Sequence, residues 1–193
     1  MVQGARVVIV MGVSASGKST VGTRLAQRLD VPFLEGDDLH SAASRAKMAS
    51  GHALDDADRR PWPAALTEWV RSAGASGRGG VVTCSALRRE YRDGFRRTGA
   101  DVWFLYLALD RAVAAERIAH RTGHFMPPRL LDSQFALLDP LQADEPGATV
   151  DASGSPGHVL AAALRASPRA TGPRAARRTD GPDPQGPAVR GTP

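Results

Sequence analysis

The chain has 193 residues, of which 42% are hydrophobic and 23% charged, with a formal net charge of +5; this length buries enough apolar surface for one compact domain without disulfide or zinc staples. A lone cysteine, Cys84, excludes an intrachain disulfide and predicts a reducing, cytoplasmic setting, while the apolar runs around Val7 to Val13 and Val102 to Leu109 fall far short of the ~20 residues that cross a bilayer, and the first residues do not read as a secretory signal. The charge is uneven: residues 167–193 hold five arginines, two aspartates, six prolines and four glycines, which predicts a disordered tail behind a nearly neutral domain at 1–166, with no nucleic-acid or membrane partner.

In chain order, Arg6 to Met11 (RVVIVM) is a β-branched run suited to a strand covered on both faces. A loop of small residues follows, and Val21, Leu25 and Leu29 then recur at helical spacing, predicting a helix from Lys18 to Leu29. Val31 to Glu35 reads as a second strand ending in the cluster Gly36, Asp37, Asp38. Residues 40–76 are polar and helix-tolerant. Val81 to Cys84 is a third strand, with a basic helix expected from Ala86 to Arg97, and Asp101 to Leu107 a fourth. Helices are expected from Asp110 to His120 and Arg129 to Leu138, a weak fifth strand at Ala148 to Val150, and a last helix from Pro156 to Ala166. Alternating strands and helices imply right-handed βαβ crossovers and a parallel sheet, with ligands beyond the carboxyl ends of the strands.

Gly12 to Ser19 (GVSASGKS) is a complete phosphate-loop pattern between a strand and a helix. The expected nucleotide-binding set is Gly12, Val13, Ser14, Ala15, Ser16, Gly17, Lys18, Ser19 and Thr20, whose amides and helix N-terminus suit phosphate oxygens. Lys18 should reach the β and γ phosphates, and the Ser19 hydroxyl should ligate Mg²⁺. A guanine-specific switch would carry NKxD and DxxG motifs, and neither is present. The third strand also lacks a terminal aspartate, so Glu35 or Asp37 is left to complete the magnesium surroundings.

Several blocks resemble the gluconokinases of the thermoresistant type, which are related in fold to shikimate and nucleoside monophosphate kinases. They are MGVSASGKST (11–20), FLEGDDLH (33–40), KMASG (47–51), LDDADRRPW (54–62), CSALRREYRD (84–93), GHFM (123–126) and SQFALLDPLQADE (133–145). The resemblance covers about 140 residues and implies a P-loop α/β three-layer sandwich with a five-stranded parallel sheet and a mobile lid. It further implies transfer of a phosphoryl group from ATP, with Mg²⁺, to the 6-hydroxyl of D-gluconate. Members of the family are often dimeric, which leaves a homodimer open here. The two rivals are another small-molecule kinase, of the shikimate kinase type, and a nucleotide-dependent binding or regulatory protein using the basic tail.

Asp37, just past the second strand, can orient an acceptor hydroxyl and take its proton; Asp38 and His40 are its neighbours, and His40 is a substrate-binding candidate. Arg59 or Arg60 could fork onto a substrate carboxylate, and the resemblance favours Arg59. Ser85, with the helix it is expected to open, and Arg88 are further substrate candidates, with Arg89 and Arg92 along the same side. Arg117 and Arg121 share a helix face; in related kinases the first such arginine packs over adenine and the second reaches the phosphates, closing with a lid at 122–128. Trp62, Trp103 and Phe104 are assigned to the core. Against the family pattern stand Ser41, Ser44, Ala53, Pro63 and Asp139.

Overall fold

The computed structural model describes residues 5–50, 61–120 and 128–167. Arg59, Arg60 and Arg121, the expected lid at 122–127 and the tail beyond Ser167 lie outside the described residues.

Strand β1 (Val7–Met11) is buried along its whole length, as its run of β-branched residues requires of a strand covered on both faces. Its side chains alternate between two cores. Val8 and Val10 join Leu25, Leu105, Leu107 and Val159 on one side, and Val7, Ile9 and Met11 join Leu66, Val70, Phe95 and Phe104 on the other. The sheet is all parallel in the order β2 (Phe33–Glu35), β3 (Gly80–Thr83), β1, β4 (Val102–Ala108), β5 (Gly147–Asp151). Helix α1 (Lys18–Leu29) crosses from β1, and α2 (Ala42–Ala49) and α3 (Pro61–Ala75) occupy the polar stretch before β3. Helix α4 (Arg89–Arg96) links β3 to β4, α5 (Arg111–Ala119) and α6 (Pro128–Ala136) follow β4, and α7 (Pro156–Ala166) follows β5. The three-layer α/β sandwich expected from the sequence is what forms. No described helix is long and apolar enough to cross a membrane.

Two elements start two or more residues later than the sequence reading places them. Strand β2 starts at Phe33 rather than Val31, because Asp30 closes α1 in the left-handed conformation (φ 55°) and the Val31 N–H turns back to Ala26 O at 3.1 Å. The basic helix starts at Arg89 rather than Ala86, because Ala86 is itself left-handed (φ 42°) and Arg88 is extended. Ser85 therefore sits in a turn and does not open a helix.

Candidate active site

The carboxyl ends of β1, β2 and β3 bring three segments together. The first is the phosphate loop. Gly12 has φ 140°, and a Cβ there would lie 2.6 Å from Leu107 O, so only glycine fits. Gly17 (φ 93°) caps α1, whose first turn holds no acidic residue and no side-chain cap; the helix dipole and its unsatisfied amides are left for an anion. Ser19 and Thr20 are exposed there. Ser16 is buried, and its Oγ has no hydrogen-bond partner among the described residues.

The loop is held from four directions. Gly12 N–H donates to Ser85 O at 3.3 Å, Lys18 Nζ to Val13 O at 3.0 Å, Ser14 N–H to Gln134 Oε1 at 2.8 Å, and Arg117 Nη1 to Ala15 O at 3.3 Å. Arg117 also donates through Nη2 to Ser153 O (3.1 Å) and Gly154 O (2.9 Å), joining the loop to the turn after β5. Its guanidinium is engaged by main-chain oxygens.

The second segment is the 3₁₀ turn Gly36–Leu39, which carries Asp37 and Asp38 exposed at the strand end. Three contacts pin it. Trp62 Nε1 donates to Gly36 O at 2.6 Å, Gly36 N–H to Thr83 Oγ1 at 3.4 Å, and the Thr83 hydroxyl to the Glu35 carboxylate. His40 is buried and stacks on Trp62, ring centroids 5.0 Å apart and 3° from parallel. Trp62, read from the sequence as core, packs against the core and also fastens the acidic turn. Beyond it Ser41 Oγ accepts from Ser44 N–H at 3.0 Å, so the serines that depart from the family pattern close the first turn of α2.

The third segment is the turn after β3. Cys84 is buried, and burial pushes its thiol up to about 12, with the Lys18 charge pulling it down and those of Asp37 and Glu35 pushing it up. The thiol is not a nucleophile at neutral pH. Arg88 is exposed, 3.7 Å from Glu90. Arg92, placed by the sequence along the same side as Arg88, is fully buried, with Nε and Nη2 bonded to Glu145 Oε1 and Oε2 at 2.7 and 2.8 Å and Nη1 on the carbonyls of Ala86, Leu87 and Asp139. Asp139 caps α4, accepting from Arg89 N–H at 3.0 Å. Sequence reasoning missed Gln134 and Glu145 because their partners lie 120 and 53 residues away.

The residues present fit a nucleotide with Mg²⁺. The loop offers amides, an orphaned hydroxyl and a helix end without a side-chain cap, a donor set that suits phosphate oxygens and the hard cation that accompanies them.

Known proteins agree in sequence and in fold. A family model described as an AAA domain matches residues 7–141. A gluconokinase of Gluconobacter oxydans is 44% identical over 160 residues, 83% of this chain and 90% of that protein. The thermoresistant gluconokinase of Escherichia coli is 40% identical over 137 residues, 71% of this chain and 78% of that protein. The crystal structure of a gluconokinase from Sinorhizobium meliloti 1021 superimposes with a TM-score of 0.71 at 41% identity, covering 83% of this chain and 90% of that one.

Proposed function

The chain belongs to the gluconokinase family, and from that premise we propose how its residues carry the transfer of the γ-phosphoryl group of ATP to the 6-hydroxyl of D-gluconate, giving 6-phospho-D-gluconate and ADP. The protein is a kinase of the P-loop type. The loop amides from Gly12 to Ser19, with Lys18 and the α1 N-terminus, hold the triphosphate and stabilise charge on the transferring oxygens. The Ser19 hydroxyl would help hold Mg²⁺, which would supply further neutralisation of that charge.

Asp37 orients the acceptor and takes the hydroxyl proton as its oxygen bonds to the γ-phosphorus and the bond to ADP breaks. The observation that carries this assignment is the division between two neighbouring carboxylates. Glu35 is tied to the Thr83 hydroxyl, whereas Asp37 stands exposed on a turn locked by Trp62 and Thr83. Within this reading Arg59 grips the gluconate carboxylate as a bidentate fork, and Arg121 adds positive charge to the phosphates from the lid. Ser85, Arg88 and His40 line the acceptor side, and Arg117 faces the adenine from its seat on the Ala15, Ser153 and Gly154 carbonyls.

A coupled ADP-release assay on the full chain tests the reading, run with gluconate, other aldonates, shikimate, a nucleoside monophosphate and no acceptor. Gluconate should give the largest turnover, with 6-phosphogluconate as product by ³¹P NMR. A preference for shikimate or a nucleotide, or release of ADP independent of any acceptor, would overturn it.

A further inference from the structure

The Ser14–Gln134 hydrogen bond joins the phosphate loop to a helix that the proposed chemistry leaves unused. Helix α6 is well anchored. Leu131 is buried one turn before Gln134, Leu130, Phe135 and Leu138 pack on the core that also takes Val13, and Arg111 Nε on α5 donates to Asp132 Oδ1 at 2.8 Å. The Gln134 side chain thus projects from a fixed platform. A main-chain N–H can only donate, so the oxygen of the Gln134 amide, not its nitrogen, faces Ser14. Among the described residues the loop main chain also hydrogen-bonds a carbonyl, Ser85 O, and a cation, Arg117; Gln134 supplies a neutral side-chain acceptor to the first limb of the loop.

We propose that Gln134 is a positioning residue for phosphoryl transfer: by accepting from the Ser14 amide it sets the first limb of the phosphate loop, and through it the placement of the γ-phosphate relative to the acceptor hydroxyl. The inference rests on the loop being the cradle of ATP. Magnitudes say where the effect shows. One neutral hydrogen bond at a half-buried site contributes little to folding, whereas an ångström of misplacement between reacting groups costs far more in rate. The loss therefore belongs in kcat and not in the melting temperature.

The test compares wild type with Q134M, which keeps length and loses the acceptor, and Q134E, which keeps an acceptor oxygen at the same reach. In the Mg·ADP complex, Ser14 amide exchange should be at least ~10-fold faster in Q134M and return toward the wild-type rate in Q134E. With gluconate, kcat of Q134M should fall about 10-fold or more, gluconate KM should stay within about twofold, and kcat of Q134E should exceed that of Q134M. Unchanged Ser14 exchange in Q134M, unchanged kcat despite faster exchange, or equal damage in Q134M and Q134E overturns the proposal. Should Q134M fail to fold, Q134N, one methylene too short to reach, is expected to show the same pair of changes, and normal exchange there would overturn it equally. If the wild type turns over no gluconate, the functional reading fails, while Ser14 exchange in the ADP complexes still decides the role of Gln134.

Discussion

A Cβ on Gly36 would lie 2.1 Å from Thr83 O and 3.2 Å from Cys84 Cβ, both part of a strand end that cannot retreat without breaking the Thr83 hydroxyl bridge to Glu35 and Gly36. Gly36→Ala must therefore shift the turn that carries Asp37, while the phosphate loop is untouched. Steady-state kinetics should show kcat/KM for gluconate lower by ~10² with ADP affinity by calorimetry within about twofold; a parallel loss of ADP binding would mean that the two segments are not separable. Trp62 acts on the same turn, and Trp62→Phe, which keeps a ring against His40 and deletes the indole donor to Gly36 O, should raise gluconate KM without changing that for ATP. Cys84 gives the opposite expectation. Its buried thiol, pushed up to about 12, should resist iodoacetamide at pH 8 in the native protein and react fully once the chain is unfolded. Rapid alkylation of the native enzyme would refute the burial.

Between elements, the Arg92–Glu145 pair, with both side chains fully buried, holds the segment after β3 through the Ala86 and Leu87 carbonyls. Removing one partner strands a charge in the interior: Arg92→Met should cost about 3–5 kcal/mol, with much of it recovered in the double variant R92M/E145L, as measured by urea denaturation. Burial works to raise the Glu145 pKa, but the bonds from Arg92 and from Gln142 N–H outweigh it, and the net shift is downward from 4.5. Because the folded value lies below the unfolded one, the pair's contribution is fully present above pH 4.5 and is lost as pH falls through the depressed value. The melting-temperature gap between wild type and E145Q should accordingly stay constant near neutrality and narrow in acid; a gap that widened in acid would contradict the assignment. Leu66 of α3 is fully buried against β1 and β3, and Leu66→Ala should cost about 2–5 kcal/mol by the same method.

Across the whole molecule, what could be read in the sequence was whatever is encoded locally. The β-branched run of β1, the glycine pattern of the loop and the spacing of Val21, Leu25 and Leu29 each fix their own segment, and together they fix a parallel sheet with its site at the strand ends. What escaped depends on distant partners or on backbone torsion. Nothing in the residue type of Ala86 shows a φ of 42°, so α4 was expected three residues too early. Arg92 looks no different from Arg88 or Arg89 until Glu145, 53 residues on, is folded against it. Trp62 is apolar enough for a core, and its second duty follows from a carbonyl that only the fold presents. The proposed reading of the site needs one segment to hold the triphosphate, the phosphate loop, and an independent one, the 3₁₀ turn, to present Asp37. The sharpest check is Asp37→Asn, an isosteric change that leaves the turn intact, measured for kcat with gluconate and for ADP affinity on one preparation. A fall in kcat of at least ~10² with ADP affinity unchanged is the predicted result; near wild-type kcat in that variant would contradict the account.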